Sequence, residues 1–216
     1  MNIITFNDLN SMMRHWNFSN PGDILQTNLK ECHNDTEVNE RPYRDAEVLT
    51  TIAKNTIGDC LEIGTSNGEG TYKIATNTKS TIYTLNALPY QMTGHLVTHA
   101  LDESQIGSFL KEHNIKNYVQ IYDNSITWTP PSNIHDLAIV FIDGCHDTEY
   151  VYKDSCKTIN LLKKGGFMVW HDFNPRLRSK FFWINSAMAG VEKFCEEHGV
   201  KEIYHLKDSW MGFCRK

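Results

Sequence analysis

The 216 residues contain no unbroken apolar run near the roughly 18 that a membrane span requires, so no spanning helix is expected. They also lack a C-x-x-C pair, a dense Lys/Arg cluster, an internal repeat and a low-complexity tract. The six cysteines, Cys32, Cys60, Cys145, Cys156, Cys195 and Cys214, are scattered. That pattern predicts buried free thiols in a reducing compartment and argues against a structural zinc site. The net charge of −5 argues against a dedicated nucleic-acid surface, and no nucleic-acid or membrane partner is expected. Met1 to Arg14 holds Asn and Asp but no apolar core, so it does not read as a secretory signal, and the default expectation is a cytoplasmic protein. One basic and aromatic patch stands out: Arg176, Arg178 and Lys180 beside Phe181, Phe182 and Trp183. It reads either as a grip on an acidic substrate or as a solvated loop anchored by its aromatics.

With 40% hydrophobic and 22% charged residues, the chain has the composition of an ordinary globular domain large enough to bury one core. From Tyr43 onward, apolar β-rich runs alternate with helical patterns. Strands are predicted at Asp59 to Ile63, Thr81 to Leu85, Tyr118 to Tyr122, Leu137 to Ile142, Gly166 to His171, Lys201 to His205 and Met211 to Cys214. Helices are predicted at Tyr43 to Lys54, Gly70 to Asn77, Asp102 to His113, Thr148 to Leu162 and Asn185 to His198. This alternation implies crossover connections and a parallel sheet covered on both faces. Only Leu206 to Trp210 separates the last two strands, too few residues for a crossover, so they form an antiparallel hairpin. Residues 43–216 therefore read as one α/β domain. Residues 1–42 read as an N-terminal extension with a short helix around Asp8 to Trp16, serving as a lid, as a homo-oligomer contact, or as nothing more than a loosely packed arm.

The most informative stretch is Cys60 to Gly70, CLEIGTSNGEG. An apolar strand closes on Glu62, turns through small residues and enters a helix whose N-terminal N–H groups are unpaired. A phosphate-binding Walker loop would need Lys-Ser/Thr after its last Gly, but Gly70 is followed by Thr71 and Tyr72. A dinucleotide fingerprint would place Gly where Ser66 stands and an acid where the next strand runs into Asn86. An acid followed by G-x-S-x-G better suits a ligand with an amino group and a positive sulfonium, as in S-adenosylmethionine. The other polar residues at predicted strand ends, Asp123 and Asn124, Asp143 and His146, and His171, Asp172 and Asn174, fall on the same rim, where open α/β sheets bind ligands.

Through Glu62, Gly64, Ser66 and Gly68, the chain resembles a class I S-adenosylmethionine-dependent methyltransferase. The run Phe141 to Phe173, with its strand, DG-x-H, helix, L-L-x-x-G-G, strand and H-D order, is similar to the metal-dependent small-molecule O-methyltransferases of that class, including sugar, antibiotic and catechol types. The resemblance implies a Rossmann-like sheet of seven strands, mostly parallel with a terminal antiparallel hairpin strand and helices on both faces. It further implies methyl transfer to a hydroxyl of a small molecule such as a sugar or secondary metabolite, assisted by a divalent cation, Mg or Mn. Carried onto this chain, the metal set is Asp143, His171 and Asp172. His171 departs from the carboxylate or amide usual there, and an imidazole ligand would favour manganese, iron or zinc. Asp143 and His146 are the implied catalytic pair, His146 as general base. Glu62, Gly64, Thr65, Ser66, Gly68, Asn86, Asp123, Asn124 and Asp143 are the implied cofactor contacts.

Each assignment has a plainer counterpart: the aspartates as caps, His146 as a loop hydrogen bonder, and Asp123 with Asn124 as a turn. Tyr90, Met92, Trp170, Arg176 and Phe182 are candidates for an acceptor pocket, since Ala87 to His99 and Asn174 to Ile184 are long loops at the rim. His95, His99 and His135 have no assigned role beyond surface positions. Two rivals stand beside the enzyme reading: a methyltransferase acting on a macromolecule, and a non-catalytic adenosyl-ligand or nucleotide-binding module.

Overall fold

The computed structural model describes residues 1–25, 36–97 and 100–216. Cys32, His99 and part of each flanking loop lie outside the described residues.

β5 (Leu137–Ile142) is six apolar residues, all buried, as expected of a strand covered on both faces. It pairs in parallel with β2 (Cys60–Ile63) on one side and β6 (Leu162–Trp170) on the other. Beyond β2 come β3 (Ile82–Asn86) and β4 (Tyr118–Tyr122), both parallel. Beyond β6 comes β8 (Gly212–Arg215), antiparallel to β6 and to β7 (Glu202–Leu206), so the expected terminal hairpin is present.

Among the described residues the sheet has eight strands, not seven, in the order β1-β7-β8-β6-β5-β2-β3-β4. The extra strand is β1 (Asn2–Phe6), paired in parallel with β7 at the sheet edge. The N-terminal segment read as an extension thus builds part of the sheet. Its β-branched run Ile3, Ile4 and Thr5 suits an edge position. α1 (Leu9–Trp16) follows, opened by an Asp8 and Ser11 capping box. It buries Met12 and sets the Trp16 ring edge-on against Phe167 and Tyr204.

Strand alternation divides the core into two layers. Leu61, Ile63, Val140, Ile142, Met168 and Trp170 face α5 (Thr148–Thr158) and α6 (Phe182–His198). Cys60, Ile139, Phe141, Phe167 and Val169 face α1, α2 (Thr36–Asn55) and α3 (Glu69–Ala75), meeting Val48, Leu49, Ile52 and Ile74. The helix predicted over Asp102 to His113 is confined to α4 (Ser108–Glu112), because Gly107 at φ 65° interrupts it. The chain runs outward from β2 through β3 to β4, then restarts at β5 on the opposite side of β2. Strand order therefore reverses between β2 and β5, and a crevice outside their carboxyl ends is the expected ligand position. Among the described residues, no helix is long and apolar enough to cross a membrane.

Candidate active site

A cavity of about 840 Å³ opens at that reversal point, within the range of small-molecule sites. Every expected cofactor and metal residue except Gly68 borders it: Glu62, Gly64, Thr65, Ser66, Asn86, Asp123, Asn124, Asp143, His146, His171 and Asp172.

The turn after β2 forms one wall. Gly64 has φ 101°, and a Cβ there would collide with the Asp143 carbonyl, so only glycine lets the two strand ends lie this close. Ser66 holds a left-handed conformation at φ 49°, fixed by its N–H donating to Asn86 Oδ1 at 2.9 Å. The Asn86 amide in turn donates to Ala87 O at 2.8 Å, so this side chain, expected at the ribose, already braces the turn. Thr65 is buried and tied by its hydroxyl to Thr84 at 2.7 Å and Gln120 at 2.9 Å. Gly68 faces away from the cavity. A Cβ there would sit 2.6 Å from Leu110 Cγ, so its role is to let α3 approach α4.

Glu62 is 1% exposed and accepts hydrogen bonds from the Thr71 and Thr84 hydroxyls. Burial pushes its pKa up to about 8, and the two hydroxyls only moderate the rise. The carboxyl thus organises the turn from below and borders the cavity without a cationic partner within the turn. Asp123 accepts from the Asn124 N–H at 2.7 Å. Asn124 is buried, donates to Gln91 O at 2.7 Å and accepts from the Ile126 N–H at 3.0 Å, so it forms a turn that holds the 91–93 loop.

The opposite wall is charged. His146 Nε2 lies 2.8 Å from Asp172 Oδ2. His171 Nδ1 lies 3.0 Å from Asp172 Oδ2 and 3.2 Å from Asp143 Oδ1, while its Nε2 lies 3.1 Å from Asp45 Oδ2. Asp172 sits at φ 53°, a left-handed position that Asp tolerates better than most residues and that turns its carboxylate back between the two imidazoles. Burial opposes ionisation of all three groups, but they stabilise one another. Asp143 and Asp172 hold His171 well above the usual imidazole range, Asp172 raises His146, and the two histidines hold Asp172 well below the usual carboxylate range.

Both ring nitrogens of His171 therefore face carboxylates. Its neighbour His146 is the histidine whose donor atom groups with Asp143 and Asp172, the three lying within 4.8 Å of one another. Two carboxylates and an imidazole at that spacing fit a divalent ion of the manganese, iron or zinc type better than magnesium.

Asp45 was not legible in the sequence. Only 2% exposed, it reaches from α2 to His171 and also accepts from the Trp210 N–H at 2.6 Å. Arg41, one helical turn earlier, lies over the Trp210 ring at 4.7 Å and within 3.7 Å of Asp45. A helical i, i+4 pair of opposite charges is the signal that could have drawn attention to them.

The acceptor candidates divide. Met92 and Phe182 border the cavity. Tyr90 is 82% exposed and outside it, Trp170 is fully buried with its indole N–H donating to Ser155 Oγ at 2.8 Å, and Arg176 reaches Asp208 at 3.3 Å. Asn174 caps its own loop by accepting from the N–H groups of Arg176 and Leu177. Arg178 is bound to Glu192 through both guanidinium nitrogens, so much of the basic patch is spent inside the fold. His95 is exposed at the cavity edge and His135 is exposed beside Asp136. The 92–97 loop folds over the site, with Asp147 accepting from the His95 N–H at 2.6 Å and Leu96 O accepting from the His146 N–H at 3.0 Å.

A mostly parallel sheet with one antiparallel strand beside β6 and a Gly-rich turn at the reversal point defines the Rossmann-like methyltransferase class. Residues 61–173 match the family profile described as "Methyltransferase domain", and the chain belongs to that family, as a class I S-adenosylmethionine-dependent methyltransferase. No curated protein sequence matches. Among solved structures, the chain is similar to the O-methyltransferase NovP, with a TM-score of 0.62 at 12% identity over 80% of this chain and 79% of that one. The O-methyltransferase TomG from Streptomyces achromogenes, solved with S-adenosylmethionine, gives 0.52 at 15% identity over 78% and 77%. The N-methyltransferase NodS from Bradyrhizobium japonicum gives 0.52 at 12% over 71% and 80%. At these identities the likeness is one of fold, and the fold serves both oxygen and nitrogen acceptors.

Proposed function

We propose that the protein methylates a hydroxyl of a small molecule, with a divalent cation held by Asp143, His146 and Asp172. The observation that carries the reading is the convergence of these three donors in the same cavity that the Gly64 to Asn67 turn borders. When bound, S-adenosylmethionine supplies an electrophilic methyl group on a sulfonium. The residues of the turn fit it: Glu62 offers a buried carboxyl that an ammonium would draw into its ionised form, and the Gly64 and Ser66 backbone leaves space along the wall. A cation at the three donors would lower the pKa of an acceptor hydroxyl and fix its direction. Asp45 and His171 do not reach that hydroxyl in this reading; they hold the Asp143 and Asp172 carboxylates in place.

The rest of the cavity is walled by Met92, Tyr150, Phe182, Trp183 and Trp210, with Arg41 beside them. Such walls suit a small ring-bearing polyol or phenol. The neighbours include both O- and N-methyltransferases, so the oxygen acceptor rests on the cation donors and not on them.

A second reading rests on the 2.8 Å His146–Asp172 pair. Without a cation, neutral His146 acts as general base: it takes the acceptor hydroxyl's proton as the oxygen attacks the methyl group, and Asp172 orients the ring and stabilises the imidazolium that forms. One experiment separates the two. Purified protein is stripped with a chelator and assayed for methyl transfer to a panel of catechols, sugars and phenols. Loss of turnover restored by manganese supports the cation, unchanged turnover supports the base, and absence of turnover on every acceptor, with product-cofactor binding intact, removes the small-molecule reading.

A further inference from the structure

α5 and α6 lie side by side, with their N-terminal ends at the cavity. The Thr148 N–H donates to Ser186 Oγ at 3.0 Å, and the Thr148 hydroxyl donates to Ser186 O at 3.0 Å. A Cβ on Gly190 would meet Thr148 O at 2.6 Å, so glycine allows the two helices to approach closely. Running in the same direction, they bring their C-terminal ends together. There Cys156, in the last turn of α5, meets Glu197 and His198, the last two residues of α6.

His198 Nε2 is 3.3 Å from Cys156 Sγ, and a Glu197 oxygen completes a group of three donors within 4.8 Å of one another. We propose that Cys156, Glu197 and His198 form a second metal site, for a zinc-type divalent ion, that clamps the ends of α5 and α6.

Geometry supports it. A tetrahedral ion with a metal–sulfur distance of about 2.3 Å and a metal–nitrogen distance of about 2.0 Å separates the two donors by roughly 3.5 Å, close to the spacing already present. The donors are supported from outside. The His198 ring stacks on the fully buried Phe194 ring at 4.8 Å, and Glu197 accepts from the Tyr152 hydroxyl. Such outer contacts pre-orient metal ligands.

The chemistry selects the ion. A sulfur, a nitrogen and an oxygen donor suit zinc or cobalt and exclude magnesium and calcium. Thiolate and carboxylate together balance a divalent charge, with the thiol proton released on binding. The carbonyl ends of two helices add negative potential at the same point. The neighbouring cation Lys193 is engaged by Glu149 at 2.6 Å.

None of the three donors borders the cavity, and sixteen helical residues, about 24 Å, separate His198 from Phe182 at the other end of α6. The site is therefore a structural clamp on the pair of helices whose N-terminal ends flank the catalytic crevice.

The test uses the full chain, freed of metal and titrated with cobalt(II). Within two equivalents, one for the cavity and one for the clamp, a thiolate-to-cobalt charge-transfer band should appear that zinc displaces. Cys156→Ser should abolish the band, and His198→Ala should weaken cobalt binding by more than about a hundredfold, beyond the 10- to 100-fold range of an outer partner. Cys145→Ser, which changes the thiol beside the cavity, should leave the band in place. Thermal melting of each metal-free variant confirms folding, and zinc should raise the midpoint of the wild type by more than that of Cys156→Ser, which keeps only the cavity site. A wild-type protein that shows no sulfur band at two or more equivalents of cobalt, or a band that survives Cys156→Ser, overturns the proposal.

Discussion

Glu62 and Asp172 are both carboxylates, both nearly inaccessible to solvent, and both border one cavity from opposite walls, yet their acidities move in opposite directions. Burial raises both. Burial dominates at Glu62: its hydrogen bonds come from hydroxyls, which cannot supply charge, and the more distant Asp143 and Lys73 charges oppose one another, so the group rises to about 8. Asp172 lies between two imidazoles, and their charge outweighs the same burial. The lesson is that accessibility alone does not decide the protonation of a strand-end acid in this fold; the neighbours do. The turn wall is thus poised to receive a cationic group, and the opposite wall is an interlocked set of charges.

The largest effect should come from breaking the charged wall. Asp172→Asn keeps a side chain that tolerates the left-handed backbone but removes the charge between His146 and His171. The expected result is a loss of roughly 10²–10⁴ in kcat/KM and of about 3–5 kcal/mol in stability, read by methyl-transfer assay and by denaturant unfolding. Near-normal turnover would mean that the charged wall does not take part in the reaction.

The contrast with Glu62 is sharpened by pH. The folded pKa of about 8 lies above the ordinary 4.5, so between those values the native state holds more protons than the unfolded chain. Stability therefore falls as pH rises across that window. Glu62→Gln cannot ionise and should flatten that fall, gaining on the wild type at pH 8.5 relative to pH 5. The same variant should weaken S-adenosylhomocysteine binding by about tenfold, the value of one charge-assisted hydrogen bond. Parallel stability curves for the two proteins would show that Glu62 is ionised in the native state.

These two walls also mark how far sequence reasoning reached. The Gly-rich turn and the strand-end acids were legible because a strand, a turn and a helix start are local patterns, and alternating elements place strand ends on one rim. The division of labour between His146 and His171 was not legible, because it depends on side-chain direction across two strands. Asp45 was hidden for another reason: its partners His171 and Trp210 lie 126 and 165 residues away. The edge strand β1 escaped because five residues show little periodicity, and its partner β7 is at the other end of the chain. Gly68 shows a second demand that the motif conceals: its φ of 103° and its approach to Leu110 require glycine whatever the turn binds.

Asp45 offers an intermediate test, because it belongs to the charged wall but touches no reacting atom in this reading. Asp45→Asn retains an acceptor for the Trp210 N–H and removes the charge facing His171 Nε2. As a positioning residue it should lower kcat about tenfold with KM for the acceptor nearly unchanged, and its pH–rate profile should shift while folding is retained. A change confined to thermal stability would make Asp45 purely structural.

The smallest effect is expected where neither wall's electrostatics is involved. Phe182 is 68% exposed, opens α6 and borders the cavity. A ring held at a cavity mouth with most of its surface in water contributes little to the fold, so Phe182→Ala should leave the melting midpoint within about a degree of the wild type. If the ring covers a bound acceptor, removing it takes away apolar contact that substrate and transition state share, which raises KM and leaves kcat unchanged. The expected rise is about three- to tenfold, corresponding to about 1 kcal/mol of partly buried aromatic surface. S-adenosylhomocysteine affinity should not move, since the cofactor residues lie on the turn wall. A parallel loss of cofactor affinity would place the ring over the adenosyl group and reverse the assignment of the two ends of the cavity.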